Sequence, residues 1–248
     1  MVSRTQITSS EQTGPEPIAS RESHDKLIGL VNAEPCGKVL DAMCGRGAIG
    51  ARLQRLGFDV AFCDIDSGLF ELDGAAVGVV DLNEGELPWP DATFDYVVCA
   101  NGLHRLFNPS NALKEFHRCL KPGGKLFASI PNYASLWRRV MFLFLGSRGN
   151  GIDRATFTQV TDRPEAHFRQ NLTFPAIEHH LKSQGFGNVW LFGSPMERMT
   201  LLMSPLYLLI RTGCIACPSA IKTKYSVRKA NSASVLLGGS HIHICASR

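Results

Sequence analysis

The first 130 residues alternate short apolar runs with segments of helical periodicity, and this alternation restricts the chain to few folds. Gly57 ends the second helical segment, and Asn108-Pro109 is a typical opening of the third. Strands that alternate with helices in this way form a mostly parallel, doubly wound sheet. The predicted strands are 39–40, 59–63, 76–80, 96–100 and 125–130, and the predicted helices are 24–32, 48–56 and 109–120.

The second half is less regular, but it supplies one more predicted helix, 174–184, and two more predicted strands, 186–192 and 240–246. The expected fold class is therefore α/β, with a doubly wound, mostly parallel sheet of seven strands and helical cover insertions after strands five and six. The length of 248 residues, 44% of them apolar, suits one domain with an elaboration. We predict a flexible N-terminal segment, 1–23, and a single domain, 24–248, with cover segments 135–165 and 195–238.

The segment VLDAMCGRGAIG, residues 39–50, follows the first predicted strand and has glycines at positions 45, 47 and 50. This G-x-G-x-x-G spacing is that of a dinucleotide-binding loop, whose backbone N–H groups meet two phosphate charges. Here, however, Asp41 ends the strand immediately before the loop. Two like charges about 4 Å apart repel by about 4 kcal/mol at an effective dielectric constant near 20. The carboxylate therefore opposes a pyrophosphate and favours a cationic ligand.

Two further carboxylates end the next two strands, Asp64 after strand two and Asp81 after strand three. In a parallel sheet the carboxyl ends of the strands share one edge, and ligands bind there. Asp64 is placed to accept hydrogen bonds from both ribose hydroxyls, and Asp81 to accept one from an exocyclic adenine amine. Arg46 is the one basic residue of the loop. The pattern indicates a cationic nucleoside such as S-adenosylmethionine.

Four segments carry a resemblance to a known family: VLDAMCGRGAIGARL, VAFCDID, the run from Val79 to Asn132, and HFRQNLTFPAIEHHLKSQGF. They are similar to successive motifs of the class I S-adenosylmethionine-dependent methyltransferases, especially the small-molecule branch with the type 11, quinone-type and MetW-like proteins. The likeness covers roughly residues 36–192 and is most specific over 87–132. It implies a Rossmann-like methyltransferase fold, with S-adenosylmethionine as cofactor and S-adenosylhomocysteine as product.

The resemblance also implies contacts with the cofactor, residue by residue. The loop after Asp41 would wrap the methionine half, Asp64 would bind the ribose, and Asp81 would bind the adenine. Met43 departs from the family, which usually has the first glycine of its loop there, and Gly50 falls outside the family motif. The residues implied to bind the cofactor are Asp41, Met43, Cys44, Gly45, Gly47, Asp64, Ile65, Asp81, Leu82 and Ala100.

Methyl transfer from a sulfonium is an in-line displacement at an already activated carbon, so alignment of the two substrates can supply most of the catalysis. A general base is needed only for an acceptor that arrives protonated. The candidate general bases are His104, just after strand four, and His167, in AHFRQNLT; the alternative for each is a structural role in its own turn. The chemistry requires no metal, and Cys214 with Cys217 lacks the second pair that a zinc site needs.

Charge and apolar residues restrict the acceptor. The net charge is only +4, and no basic ribbon with interleaved aromatic residues appears, which disfavours nucleic acid. Segments 135–148 and 195–230 combine bulky apolar side chains with Arg or Lys and follow strands five and six. We therefore predict a small apolar or amphipathic acceptor enclosed by these segments. A lipid-like substrate or a membrane surface is a further expected contact of 196–230.

Three interpretations of the function remain open. A small-molecule methyltransferase is favoured over a methyltransferase-fold protein that binds a partner without catalysis, which Met43 would suit, and over an NAD-dependent oxidoreductase. The first 25 residues lack the apolar run of a signal peptide, and the eight cysteines lie mostly in apolar runs, as in a reducing compartment. These features predict a cytoplasmic protein. The sequence does not determine the oligomeric state.

Overall fold

The computed structural model describes residues 14–18, 20–146, 170–194 and 202–248. Its centre is a sheet of seven strands in the order β3-β2-β1-β4-β5-β7-β6. Strands β1 to β6 share one direction, and β7 is antiparallel to both of its neighbours, β5 and β6. The predicted doubly wound, mostly parallel sheet is confirmed. The strands are β1 (Lys38–Ala42), β2 (Asp59–Asp64), β3 (Val77–Val79), β4 (Phe94–Ala100), β5 (Leu120–Pro131), β6 (Val189–Gly193) and β7 (His241–Ser247).

The helices of the described residues fall into two groups. Five accompany the strands, and four short or exposed ones lie between β6 and β7. The first group is α1 (Arg21–Asn32), α2 (Ala48–Arg55), α3 (Pro109–Cys119), α4 (Leu136–Leu145) and α5 (Phe174–Ser183). The second group is α6 (Ser204–Ala216), α7 (Ser219–Lys224), α8 (Val227–Ala230) and α9 (Ala233–Leu236).

Two apolar cores lie on the two faces of the sheet, because successive side chains of a strand point to opposite sides. On β4, Val97 belongs to the core that contains α3 and α5, and Val98 belongs to the core that contains α1 and α2. On β1, Leu40 and Val39 divide in the same way. Helices therefore cover both faces, and this leaves the carboxyl ends of the strands as the open edge of the sheet.

Local signals set several element boundaries as predicted. The side chain of Asn108 accepts a hydrogen bond from the backbone N–H of Asn111, and Pro109 occupies the first turn of α3. Gly57 follows α2 and Gly185 follows α5, with φ values of 92° and 90°. A left-handed conformation after the last helical residue favours glycine because it lacks a Cβ.

Strand β5 begins earlier than predicted. The sequence Lys121-Pro122-Gly123-Gly124 breaks α3 as expected, but these residues are part of β5, and the register against β4 shifts between Phe94 and Tyr96. Gly124 lies so close to β4 that a Cβ would be 2.9 Å from the carbonyl oxygen of Asp95. The Pro-Gly-Gly run therefore forms an irregularity within the strand rather than a separate turn.

Helix α1 begins at Arg21, so the boundary predicted at residue 23 falls within it. Its residues Leu27 and Val31 are fully buried against the sheet. The preceding residues 14–18 reach the glycine loop, where the side chain of Ile18 lies 3.0 Å from the position of a Cβ on Gly45. This part of the predicted flexible segment therefore lies against the open edge of the sheet.

Candidate functional site

A cavity of about 600 Å³ lies at the carboxyl ends of β1 to β4. It spans the point between β1 and β4 where the strand order reverses, the usual ligand site of an open parallel sheet. Its volume is within the range of small-molecule sites. Nine of the ten predicted cofactor residues line it, namely Asp41, Met43, Cys44, Gly45, Asp64, Ile65, Asp81, Leu82 and Ala100.

Asp41 lies at the floor of the cavity and is 2% exposed. Its Oδ2 accepts a hydrogen bond of 2.8 Å from the backbone N–H of Gly50 in the first turn of α2. Burial raises the pKa of Asp41 to about 7; the Gly50 N–H opposes this shift, and the charge of Asp64 adds to it. A cation bound beside this carboxyl would favour its ionised form.

Asp64 holds the glycine loop in place. Its Oδ2 accepts a 2.8 Å hydrogen bond from the backbone N–H of Gly45, and its Oδ1 accepts one of 3.2 Å from the N–H of Asp66. An ionised carboxylate has about four acceptor positions, so two remain for hydroxyl groups of a ligand. Gly45 and Gly47 have φ values of 53° and 81°, which favour glycine. Gly47 itself does not line the cavity; it is the N-cap residue immediately before α2.

Close packing explains why the third glycine of the loop, Gly50, cannot carry a side chain. A Cβ there would lie 2.1 Å from Cε1 of Phe62 and 3.0 Å from Oδ2 of Asp41. The absence of a side chain lets α2 approach β2 and bring its N–H to the carboxyl group. The G-x-G-x-x-G spacing therefore arises here from helix–strand packing, although the strand-end charge opposes phosphate.

Asp81 connects the end of β3 to the segment after β4. Its Oδ1 accepts hydrogen bonds from the backbone and the side-chain amide of Asn83, at 2.9 and 2.8 Å. Oδ1 of Asn83 in turn accepts from the backbone N–H of Phe107 at 2.7 Å and of Asn108 at 3.1 Å. Leu82 is buried beside this network. The network holds one wall of the cavity in place.

Met43 occupies the loop position where the resemblance calls for glycine, and it has a φ of 56°. It retains the left-handed conformation that a glycine there would adopt. Its side chain packs towards Gly102, where a Cβ would lie 2.5 Å from Sδ of Met43. The neighbouring Cys44 thiol has a pKa raised by burial, so it is not a thiolate nucleophile at neutral pH.

Of the two predicted general bases, the structure places one at the cavity. His104 lies on the short 3₁₀ helix Leu103–Arg105, lines the cavity and is 6% exposed. His167 lies outside the described residues. The proposed role of each as a base stays a prediction.

Two cavity residues with unpartnered polar atoms were not among the predicted site residues. Asn101, directly after β4, has a φ of 53°, and both atoms of its side-chain amide are buried without a hydrogen-bond partner among the described residues. Nδ1 of His24, on α1, is also buried without such a partner, and burial lowers the pKa of His24 to about 4. Orphaned buried polar atoms cost free energy unless a ligand or water satisfies them. Asn101 could have been predicted to lie at the cavity because it directly follows a strand end. His24 could not, because only the packing of α1 on the sheet brings it there.

None of the described residues of the predicted cover segments lines this cavity. Among the residues that the structure describes, the cover comes from Glu16, Ile18 and Ser20, before α1, and from His241 at the start of β7. Residues 147–169 and 195–201 of those segments lie outside the described part of the chain. The role of the two segments in enclosing the acceptor stays a prediction.

The C-x-x-C pair does not assemble a site with the downstream histidines. Cys214 lies on α6 and Cys217 at its end, whereas His241 and His243 lie on β7. Within the described ranges, no group of three or more His, Cys, Asp or Glu residues has a geometry that could hold a metal ion.

Comparison with known proteins agrees with the fold. Residues 40–128 match the sequence model of a methyltransferase domain family. Demethylmenaquinone methyltransferase from Bacillus cereus is 32% identical over 112 residues, which are 41% of this chain and 47% of that protein. The chain thus spans about half the length of the curated relatives it matches.

Two solved structures share the architecture at low identity. An S-adenosylmethionine-dependent methyltransferase from Mesorhizobium loti has a TM-score of 0.57 at 15% identity, covering 92% of this chain and 98% of that one. Phosphoethanolamine N-methyltransferase 2 from Haemonchus contortus, solved with S-adenosyl-L-methionine, has a TM-score of 0.51 at 17% identity, covering 90% and 52%. The chain therefore shares its fold with S-adenosylmethionine-dependent methyltransferases, and its residues 40–128 are similar in sequence to a methyltransferase domain.

Proposed function

We propose that the protein transfers a methyl group from S-adenosylmethionine to a small apolar or amphipathic acceptor. One observation carries the proposal: the carboxylates of Asp41, Asp64 and Asp81, from three successive strand ends, line one cavity together with the glycine loop. A cationic nucleoside complements such a wall, whereas a dinucleotide would bring two phosphates against it.

The residues present fit this cofactor. Asp41 is buried where a positive group would stabilise its ionised form, Asp64 has acceptor positions left for ribose hydroxyls, and Leu82 offers an apolar surface beside Asp81. The cofactor, when bound, supplies a methyl group already activated on a sulfonium sulfur. The chain then needs to exclude water and align the acceptor in line with that carbon.

The acceptor would meet the polar groups that lack partners. The amide of Asn101 can both donate and accept a hydrogen bond, and the imidazole of His24 is neutral at pH 7 because burial lowers its pKa. A polar group of the acceptor, held between them, would satisfy atoms that are otherwise orphaned. His104 and His167 are the proposed general bases for an acceptor that arrives protonated.

The apolar or amphipathic character of the acceptor draws on two supports. The curated relatives are named for demethylmenaquinone. The cavity wall also contains many apolar side chains, among them Ile18, Ile49, Leu69, Leu106 and Phe107. The identity of the acceptor, and the atom methylated, are open to screening with purified protein.

A titration tests the choice of cofactor. We expect the protein to bind S-adenosylhomocysteine at least tenfold more tightly than NADH, because the carboxylates at the strand ends oppose phosphates. Isothermal titration calorimetry with both ligands at the same ionic strength measures the difference. Equal or tighter binding of NADH would contradict the proposal and favour the oxidoreductase interpretation.

Asp64→Ala is expected to weaken S-adenosylhomocysteine binding at least tenfold. The variant loses the acceptor for ribose hydroxyls and the hydrogen bonds that fix Gly45 and the N–H of Asp66. Asp59→Ala is the matched control, because Asp59 is an exposed carboxylate at the opposite end of the same strand. A folded Asp64→Ala protein with an unchanged dissociation constant would refute this role for Asp64.

The alternative, a methyltransferase-fold protein that binds a partner without catalysis, draws on one observation, the Met43 side chain beside Gly102. It predicts that the protein fails to bind S-adenosylhomocysteine and that Met43→Gly restores binding. Tight binding of S-adenosylhomocysteine by the natural protein would show that Met43 does not obstruct the cofactor.

A further inference from the structure

Helix α6 has an unusual surface for a helix of a globular protein. None of its residues is buried, yet its sequence SPLYLLIRTGCIA is largely apolar. Leu208, Leu209 and Ile215 are 60%, 68% and 77% exposed, and the preceding Leu202 is 82% exposed. A helix that is apolar on all sides is normally buried in a core or in a membrane. Here the most exposed face carries leucine and isoleucine where charged residues are expected.

Helix α4 ends with a similar surface. Residues 142–145 are all exposed and all apolar, with Phe144 at 78%. Arg139 of α4 donates a hydrogen bond to the carbonyl of Ala230, and Arg211 of α6 donates one to the carbonyl of Asn231. Because both helices attach to adjacent residues at the end of α8, they lie in one region of the surface. We call this region the apolar patch; it consists of Trp137, Phe142, Leu143, Phe144, Leu145, Leu202, Leu208, Leu209 and Ile215.

The two described segments that form the apolar patch contain basic residues and no acidic ones. Segments 135–146 and 202–238 contain no Asp or Glu. Of their basic residues, Lys229 pairs with Glu178 of α5 at 2.8 Å, while Lys224 and Arg228 are exposed. The basic residues of these segments are Arg138, Arg139, Arg211, Lys222, Lys224, Arg228 and Lys229.

We propose that the apolar patch docks on the surface of an anionic lipid bilayer. Apolar side chains beside Lys and Arg are the features with which a helix lies in a membrane interface. Basic residues near an anionic surface add electrostatic attraction to the burial of the apolar side chains. A second copy of the chain is a poorer occupant, because a symmetric contact would bring the same positive charges against each other.

The geometry specifies docking rather than insertion across the bilayer. Helix α6 has 13 residues, and at about 1.5 Å per residue it is roughly 20 Å long, short of the roughly 30 Å hydrocarbon core. No helix among the residues that the structure describes has the length and apolarity to cross a membrane. Helices α4 and α6 would therefore lie in the plane of the headgroups.

This inference extends the proposed function by giving an amphipathic acceptor a route from a bilayer, but it does not depend on methyl transfer. Docking is measured by binding alone, so it can succeed or fail whatever the outcome of the cofactor titration.

Flotation of the full chain with vesicles tests the proposal. With vesicles of phosphatidylcholine containing one third phosphatidylglycerol, we expect the protein to partition at least tenfold more strongly than with phosphatidylcholine alone. Phe144→Ser combined with Ile215→Ser should reduce partitioning at least tenfold, and both side chains are exposed, so the fold is preserved. Val79→Ser, an exposed apolar residue on edge strand β3, should change it less than twofold.

Charge-reversal variants provide a second test in the same flotation experiment. Lys224→Glu with Arg228→Glu should also reduce partitioning at least tenfold, whereas Arg55→Glu with Lys114→Glu, an equal change in net charge elsewhere, should not. Failure to float with anionic vesicles, or equal loss in both charge variants, would overturn the proposal. A concentration-dependent dimer would also overturn the proposal if sedimentation velocity detects it without vesicles and the variant Phe144→Ser with Ile215→Ser dissociates it. A second copy of the chain would then cover the apolar patch.

Discussion

Asp41→Asn is expected to stabilise the ligand-free protein at pH 8 while weakening its binding of S-adenosylmethionine. Burial raises the pKa of Asp41 from 3.8 to about 7, so the folded protein holds a proton that the unfolded chain releases between about pH 4 and pH 7. The contribution of this carboxyl to the free energy of unfolding is complete below pH 4 and is lost as the pH rises through 7.

Asn resembles the protonated acid and can still accept from the N–H of Gly50. The three-unit shift corresponds to an upper limit of about 4 kcal/mol, so a gain on the order of 1–4 kcal/mol is expected at pH 8 and little gain at pH 4. Urea unfolding at the two pH values measures it. A variant that is less stable than the natural protein at pH 8 would contradict this prediction.

The binding half of the prediction has the opposite sign. A cationic ligand binds the ionised form of Asp41 more tightly, so the natural protein should bind S-adenosylmethionine at least tenfold more tightly than the variant at pH 8. At pH 6 the carboxyl is mostly protonated, so this ratio of affinities should be about tenfold smaller. Comparing both proteins at each pH cancels the titration of the ligand's own amino group. A gap that does not change with pH would exclude a charge role for Asp41.

Gly50→Ala is expected to lower the free energy of unfolding by about 1–3 kcal/mol, the usual cost of overpacking. The new Cβ would lie 2.1 Å from Cε1 of Phe62, a side chain that is 1% exposed and packed edge-on against Phe70. Phe62 has little space to move, so the better helix propensity of alanine does not compensate. Displacement of α2 would also lengthen the hydrogen bond from Gly50 to Asp41 and weaken cofactor binding.

Gly29→Ala is the matched control, because Gly29 lies in the interior of α1 with nothing within 4 Å of a new Cβ. There, alanine should stabilise the protein by about 0.5–1 kcal/mol, since glycine loses more backbone entropy on folding. Thermal unfolding of the two variants separates packing from propensity. If both variants shift the melting temperature in the same direction, close packing at Gly50 is not the cause.

Local chemistry determined much of this protein from the sequence alone. The Asn108-Pro109 opening of α3, the glycines after α2 and α5, and the apolar strand runs act over a few residues, so their outcome did not depend on the rest of the chain. That Asp41, Asp64 and Asp81 line one cavity was predictable for a related reason. Each ends a parallel strand, and parallel strands place their carboxyl ends at one edge.

The tertiary structure decided what depends on contacts between distant segments. Whether residues 14–18 cover the glycine loop, and whether His24 of α1 reaches the same cavity as Asn101 after β4, depends on how α1 packs on the sheet. The packing role of Gly50 required Phe62 of β2 as its neighbour. The exposure of α6 was also outside the reach of the sequence, because an apolar run is compatible with both a core and a surface. The periodicity of a sequence shows which residues share one face of a helix or strand. Whether that face is buried depends on which other elements of the fold pack against it.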